Sequence, residues 1–211
     1  MTTATKRISL DGAIEALARR RDDQVVVSTM TVLRPWRERA GTDRDLVCVG
    51  FMGGASTFGL GVQLARPEVP VWILDGDGSL AMQLGSLLTI ANAAPRRFLH
   101  VVLHNGVYDT SGAQPVLAEG RMSFAELAKA AGYIEGVRFD DIESFELALD
   151  DLLDMEGPVL VELITEPTGD SYQDPVPGTS PDLPADGRSI PSALAEVWPR
   201  VRDSLAKGVT R

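Results

Sequence analysis

The chain is short of cysteine, histidine, positive charge and long apolar runs, and each shortage excludes something. A single cysteine, Cys48, among 211 residues rules out an intrachain disulfide framework and fits a reducing compartment. The two histidines, His100 and His104, lie four apart in an apolar run, on one face of a strand, with no third ligand in a spacing known for zinc. No apolar stretch approaches the roughly 20 residues of a membrane span. The polar N-terminus carries Lys6 and Arg7 with no apolar segment behind them, so the expectation is a cytoplasmic protein without membrane attachment. Lys and Arg number 20 against 30 Asp and Glu, a formal charge of −10, which argues against nucleic acid as a partner. What remains is ordinary: 44% hydrophobic residues, enough for a packed core in one domain, or one domain plus a tail.

The most informative residues are Gly76-Asp77-Gly78-Ser79 and, further on, Asn105-Gly106. Val69 to Leu74 reads as a buried strand that ends in the turn residues Asp75-Gly76-Asp77-Gly78. From Ser79 to Asn92 the spacing of Leu80, Leu84, Leu87, Leu88 and Ala91 predicts a helix, with Ser79 as its N-cap. Phe98 to Leu103 is a second apolar strand and delivers Asn105 to the same sheet edge. The pattern places one carboxylate and one amide oxygen at strand ends beside helix N-termini, where ligands of open parallel sheets bind and where phosphates find free N–H groups. Mg²⁺ asks for such hard oxygens, shared among side chains, a backbone carbonyl, water and phosphate. Two ordinary βα turns would use the same residue types.

These residues resemble the diphosphate-binding motif of the thiamine-diphosphate enzymes, which runs from a Gly-Asp-Gly to a later Asn. Gly50-Phe51-Met52-Gly53-Gly54-Ala55-Ser56 is similar to the family's cofactor-bending segment, and Asn105 to Pro115 resembles the β subunit of sulfopyruvate decarboxylase and the matching half of phosphonopyruvate decarboxylase. Ala113, where a glycine is expected, Asp109 and His104 depart from the pattern. The resemblance implies thiamine diphosphate and Mg²⁺ as cofactors, with Asp77, Asn105 and the Val107 carbonyl as metal ligands. It implies diphosphate contacts at Gly76, Gly78 and Ser79, cofactor contacts at Gly53 and Tyr108, a wedge at Met52 and an aminopyrimidine acceptor at the Gly50 carbonyl. Asp109, Thr110, Ser111 and Gln114 are candidates for substrate contact or for turn chemistry. His104 is a candidate proton donor, against the simpler reading of a loop histidine. A related group, the β subunits of 2-oxoacid:ferredoxin oxidoreductases, holds an iron–sulfur cluster on cysteines, which one cysteine cannot supply.

Along the chain, helices are expected at residues 8–21, 53–65, 123–131 (with Ser123 and Glu126 as a capping box) and 142–153, and strands at 24–28, 46–49 and 158–164. Arg34 to Arg44 reads as a polar connection around Trp36, and Arg19-Arg20-Arg21 as a solvated helix end. Strands alternating with helices argue for an α/β fold, a three-layer parallel sheet with helices on both faces, over residues 1–165. Residues 166–211 read as an extended arm, with six prolines between Glu166 and Pro191, and a terminal helix at 192–205 striped by Ala193, Leu194, Val197, Trp198 and Val201.

The family's activating glutamate lies on a separate pyrimidine-binding domain, and nothing here resembles one. The resemblance therefore implies the β subunit of a hetero-oligomer: a thiamine-diphosphate-dependent decarboxylase of a short anionic 2-oxo acid, of sulfopyruvate or phosphonopyruvate type. A pyrimidine-binding α subunit would complete the site. A carboligating subunit of acetolactate-synthase type, or a non-catalytic assembly subunit, are the competing readings.

Overall fold

The computed structural model describes residues 7–168 and 190–207. In chain order the elements are α1 (Leu10–Ala18), β1 (Val25–Thr29), α2 (Met30–Ala40), β2 (Asp45–Cys48), α3 (Ala55–Ala65), β3 (Val71–Gly76), α4 (Asp77–Ala81), α5 (Gly85–Ala93), β4 (Arg97–His104), β5 (Val107–Tyr108), β6 (Gln114–Pro115), α6 (Phe124–Ala131), β7 (Glu135–Phe139), α7 (Ile142–Asp154), β8 (Gly157–Ile164) and α8 (Ile190–Lys207). Six strands form one parallel sheet in the order β2-β1-β3-β4-β8-β7, and β5 pairs antiparallel with β6 as a small separate ribbon.

The apolar strands are buried on both faces, as a parallel sheet requires. Alternate residues of each strand feed two cores. Val25, Val27, Ile73, Val102 and Leu160 pack under α3, α5 and α6, while Val26, Trp72, Leu74, Val101 and Val161 pack under α1, α2 and α7. This is the expected three-layer α/β arrangement. Strand order reverses between β1 and β3, and the crevice beyond their carboxyl ends is where such sheets bind ligands.

Several local expectations need correction. Residues 34–40 belong to helix α2 rather than to a connection: three arginines and Pro35 masked a helix that buries Val32, Leu33 and Trp36. Pro35 stands inside the helix and forfeits one backbone bond there, and the apolar burial offsets it. Arg21 is not solvated. Its side chain is 6% exposed, pairs with Asp45 at 2.9 Å and lies 5.4 Å from the Trp36 ring centre. The helix expected at 79–92 is two helices, α4 and α5, and Ser79 sits inside α4 rather than capping it. The Ser123 hydroxyl does accept from the Glu126 N–H, but the second carboxylate at that helix start is Glu162, which accepts from the Ala125 N–H and the Ser123 hydroxyl. Strand β7 went unread because Gly136 and Arg138 interrupt its apolar pattern.

The proline-rich stretch expected as an arm lies outside the described residues, except for its first and last parts. Helix α8 packs against β2, with Val201 and Leu205 buried and Trp198 at 6.1 Å from Phe58. The side chains of Ala193, Leu194 and Val197 lie outside the described residues. Among the described residues, no helix is long and apolar enough to cross a membrane.

Candidate active site

Three segments that are distant in sequence meet at the carboxyl edge of the sheet. The first is the β1–α2 junction, the second the β3–α4 junction, and the third the stretch from Asn105 to Thr110 after β4. Together with Met52 and with Thr165, Glu166 and Thr168 after β8, they line one pocket beside the strand-order reversal.

Asp77 is the charged centre of this pocket and is 2% exposed. Its Oδ1 accepts from the Gly78 N–H and its Oδ2 from the Gly106 N–H, both at 2.7 Å. Gly106 reaches that position with φ +83°, in the left-handed region that favours glycine. Burial pushes the Asp77 carboxyl up to about 6; the two backbone donors and nearby His104 pull against that rise. A buried carboxylate so raised is poised to take a cation, which removes the penalty for its charge.

Asn105 stands beside it. The Asn105 Oδ1 accepts from the Val107 N–H at 2.9 Å, and its Nδ2 donates to Asp109 Oδ2 at 2.7 Å. Arg7 donates to the main-chain oxygens of Asn105 and Thr165, tying the N-terminal segment to the ends of β4 and β8. Hard oxygens from Asp77, Asn105 and the Val107 main chain thus border one pocket, a donor set that suits Mg²⁺. Gly78 lies against the Tyr108 ring, and a Cβ there would collide with it, so this backbone approach requires glycine.

The remaining expected residues divide. Met52, Gly76, Gly78, Ser79, Val107, Tyr108, Asp109 and Thr110 line the pocket with Asp77 and Asn105; Gly50, Gly53, His104, Ser111 and Gln114 do not. Gly50 and Gly53 have φ of +94° and +82°, and the Gly53 N–H donates to the Ser79 hydroxyl at 2.9 Å. That bond ties the 50–54 segment to α4. The Asp109 carboxylate is occupied by Asn105 and by the backbone N–H and hydroxyl of Thr168. Ser111 and Gln114 point outward from the turn and from β6 as exposed residues.

His104 is not a loop histidine. It is the last residue of β4, 4% exposed, held by Glu162 at Nδ1 (2.7 Å) and by Glu119 at Nε2 (2.6 Å). Burial disfavours its charge, yet the hydrogen bonds with Glu162 and Glu119 and the proximity of Asp77 raise it above the ordinary histidine value. Glu162 is held below the ordinary carboxylate range: burial opposes this, but His104, Ser123 and the Ala125 N–H outweigh it. Asp77, His104 and Glu119 offer ligand atoms all within 4.8 Å of one another. Sequence reasoning missed Glu119, Glu162, Thr165 and Thr168 because no local pattern marks them. It also missed the 29–32 junction, which only the strand-order reversal reveals.

A parallel α/β sheet with a carboxylate, an amide and glycine turns at its reversal point defines a cofactor-binding domain of the open-sheet class. The particular family follows from comparison: the family model described as "Thiamine pyrophosphate enzyme, C-terminal TPP binding domain" matches residues 29–163, and the chain belongs to that family. Over 147 residues, 70% of this chain, it is 39% identical to a phosphonopyruvate decarboxylase of Streptomyces viridochromogenes, of which the match spans 36%. The chain therefore covers about a third of that relative's length. Over 158 residues, 74% of this chain, it is 35% identical to the sulfopyruvate decarboxylase subunit beta of Methanothermobacter thermautotrophicus, here covering 80% of the relative. Among solved structures, a thiamine diphosphate-dependent 4-hydroxybenzoylformate decarboxylase of Rhodococcus jostii superposes with a TM-score of 0.64 over 80% of this chain and 34% of that one; at 19% identity the likeness concerns the fold.

Proposed function

We propose that this chain is the β-type subunit of a thiamine-diphosphate-dependent decarboxylase acting on a short 2-oxo acid with a second anionic group, of sulfopyruvate or phosphonopyruvate type. The observation that carries the reading is the convergence of Asp77, Asn105 and the Val107 main chain on one pocket at the strand-order reversal. The relative that this chain covers at 80% is itself a β subunit, and that supports a partner carrying the pyrimidine-binding half and its activating glutamate.

In this reading Asp77, the Asn105 amide oxygen and the Val107 carbonyl hold Mg²⁺, while Gly76, Gly78 and Ser79 face the diphosphate. When bound, thiamine diphosphate supplies the electron sink for decarboxylation. The chain's own residues bind and orient. Asp77 presents its charge where burial makes a cation welcome. The Ser79 oxygen accepts from Gly53, leaving its hydroxyl proton to donate into the pocket. Met52 lines the pocket and would contact the cofactor, while Gly50 and Gly53 lie behind it and act through the segment that Gly53 ties to Ser79. Of the substrate-side candidates, Asp109 and Thr110 line the pocket, and the Asp109 carboxylate is already engaged, which leaves the Thr110 side chain to face the substrate. Residues 1–165 act as the binding domain and 166–211 as an arm whose terminal helix α8 rests on β2.

Calorimetric titration of thiamine diphosphate with Mg²⁺ into the chain, alone and with a candidate pyrimidine-type partner, tests this. Binding that needs the partner and is lost in Asp77→Ala is the expected result. Aldehyde release from sulfopyruvate or phosphonopyruvate by the complex would then identify the reaction. Absence of binding in every mixture, with a partner that itself assembles with the chain, overturns the reading.

A further inference from the structure

We infer that Asp109 is a positioning residue that sets which end of the Asn105 amide faces the pocket; this rests on the reading of Asn105 as a metal ligand. An asparagine amide has two nearly isosteric orientations, and only one presents oxygen on a given side. The two neighbours of Asn105 demand opposite chemistry. The Val107 N–H, a donor, faces Oδ1 at 2.9 Å, and the Asp109 Oδ2, an acceptor, faces Nδ2 at 2.7 Å. A flip would set NH₂ against N–H and oxygen against carboxylate, which is repulsive at both ends. The bond to Asp109 is charge-assisted and so the stronger of the two.

Asp109 can serve this way because it does not move freely. It is 5% exposed, and its Oδ2 also accepts from the Thr168 hydroxyl at 3.0 Å and the Thr168 N–H at 3.3 Å. The segment after β8 thus anchors the carboxylate, and the carboxylate anchors the amide. Between residues 105 and 109 the chain passes through Gly106, at φ +83°, and the short strand β5, and Asp109 opens the Asp109–Ser111 turn. Without Asp109, one neutral bond from Val107 would be left to orient the amide.

Two readouts test the inference. The first is the side-chain NH₂ resonance of Asn105 in the cofactor-free chain. It is expected downfield and slow to exchange in wild type, and shifted upfield with faster exchange in Asp109→Ala; an unchanged resonance overturns the inference whether or not any cofactor binds. The second is the Mg²⁺ concentration for half-saturation at fixed thiamine diphosphate, measured in the chain or chain–partner complex that binds. Asp109→Ala is expected to raise it about 10-fold, the scale for losing a partner behind a ligand. Asp109→Asn, whose carbonyl accepts the same bond, is expected to stay within about threefold of wild type. Asn105→Asp has oxygen at both ends and needs no orienting, so adding Asp109→Ala to it is expected to cost little, a coupling that a role in folding alone would not produce. Equal penalties for Ala and Asn at residue 109, or the same penalty in both residue-105 backgrounds, would refute orientation. A wild type that binds no thiamine diphosphate would instead sink the functional reading, with the resonance still deciding the amide.

Discussion

Two aspartate–histidine pairs bridge β3 and β4, one inside the strands and one where β3 gives way to α4, and the molecule treats them differently. The inner pair, Asp75 and His100, is fully buried at 3.6 Å, and neither Asp75 Oδ2 nor His100 Nε2 has a hydrogen-bond partner. The outer pair, Asp77 and His104, is 3.8 Å apart, and each of its nitrogens and oxygens is engaged: Asp77 by Gly78 and Gly106, His104 by Glu162 and Glu119. The difference is one of position along the sheet. Within it, ladder bonds consume most backbone N–H groups: Asp75 Oδ1 accepts from the Gly76 N–H and His100 Nδ1 meets the Tyr133 hydroxyl, but Asp75 Oδ2 and His100 Nε2 find nothing. Past the strand ends, glycine turns release N–H groups and loops bring further side chains. The outer pair stands where charge can be supported, and the inner pair sits inside the sheet with its two facing atoms unbonded.

The comparison breaks most sharply at Asp77. Asp77→Ala is expected to weaken Mg²⁺–thiamine diphosphate binding by more than about 100-fold, beyond the loss of an outer-shell partner, as read by calorimetry. Its effect on the cofactor-free fold has the opposite tendency with pH. A carboxyl raised to about 6 favours the folded state below its unfolded value near 3.8, and that contribution is lost as pH rises through 6. Urea unfolding of wild type should therefore lose ground to Asp77→Ala between about pH 4 and 7, by up to about 3 kcal/mol. The inner pair should respond the other way round. His100→Leu leaves the Asp75 carboxylate buried beside an apolar group and is expected to cost about 1–3 kcal/mol of stability with cofactor affinity retained. Equal losses of affinity from both substitutions would erase the distinction.

Glu119 sharpens the outer pair. It is the more exposed of the two carboxylates on His104, at 36% of its side chain, and its removal relaxes the raised histidine. A raised histidine contributes its full stability below its unfolded value near 6.5, and loses it as pH climbs through the folded value. Glu119→Ala should thus be weakest relative to wild type in mild acid and converge with it in alkali, read by urea melts across that range. The smallest effect is expected at Ala113, which adopts φ +54° in the turn between Gly112 and Gln114. Ala113→Gly relieves left-handed strain and should stabilise the chain by about 1 kcal/mol, measurable as a raised melting temperature.

Ala113 also shows how far sequence reading reached. A glycine was expected there, and the left-handed backbone explains why. Glycine turns, apolar strands and the Asp77–Asn105 spacing were legible because each follows from local chemistry and short-range periodicity. Helix α2 was not, because its apolar face is sparse in sequence and becomes decisive only once Trp36 is buried against Trp72, 6.4 Å away. The fate of the arginine run was hidden for the same reason: Arg21 meets Asp45 only after β1 and β2 pair.

By itself, then, the sequence determined the class of fold, the family and the chemistry available at two strand ends. The tertiary structure alone decided which groups surround that chemistry. Glu162 reaches His104 across 58 positions, and Thr168 reaches Asp109 across 59. Such contacts depend on which strands lie side by side and where their order reverses. That arrangement is set by burial of the whole sheet on both faces, which no local run of residues encodes.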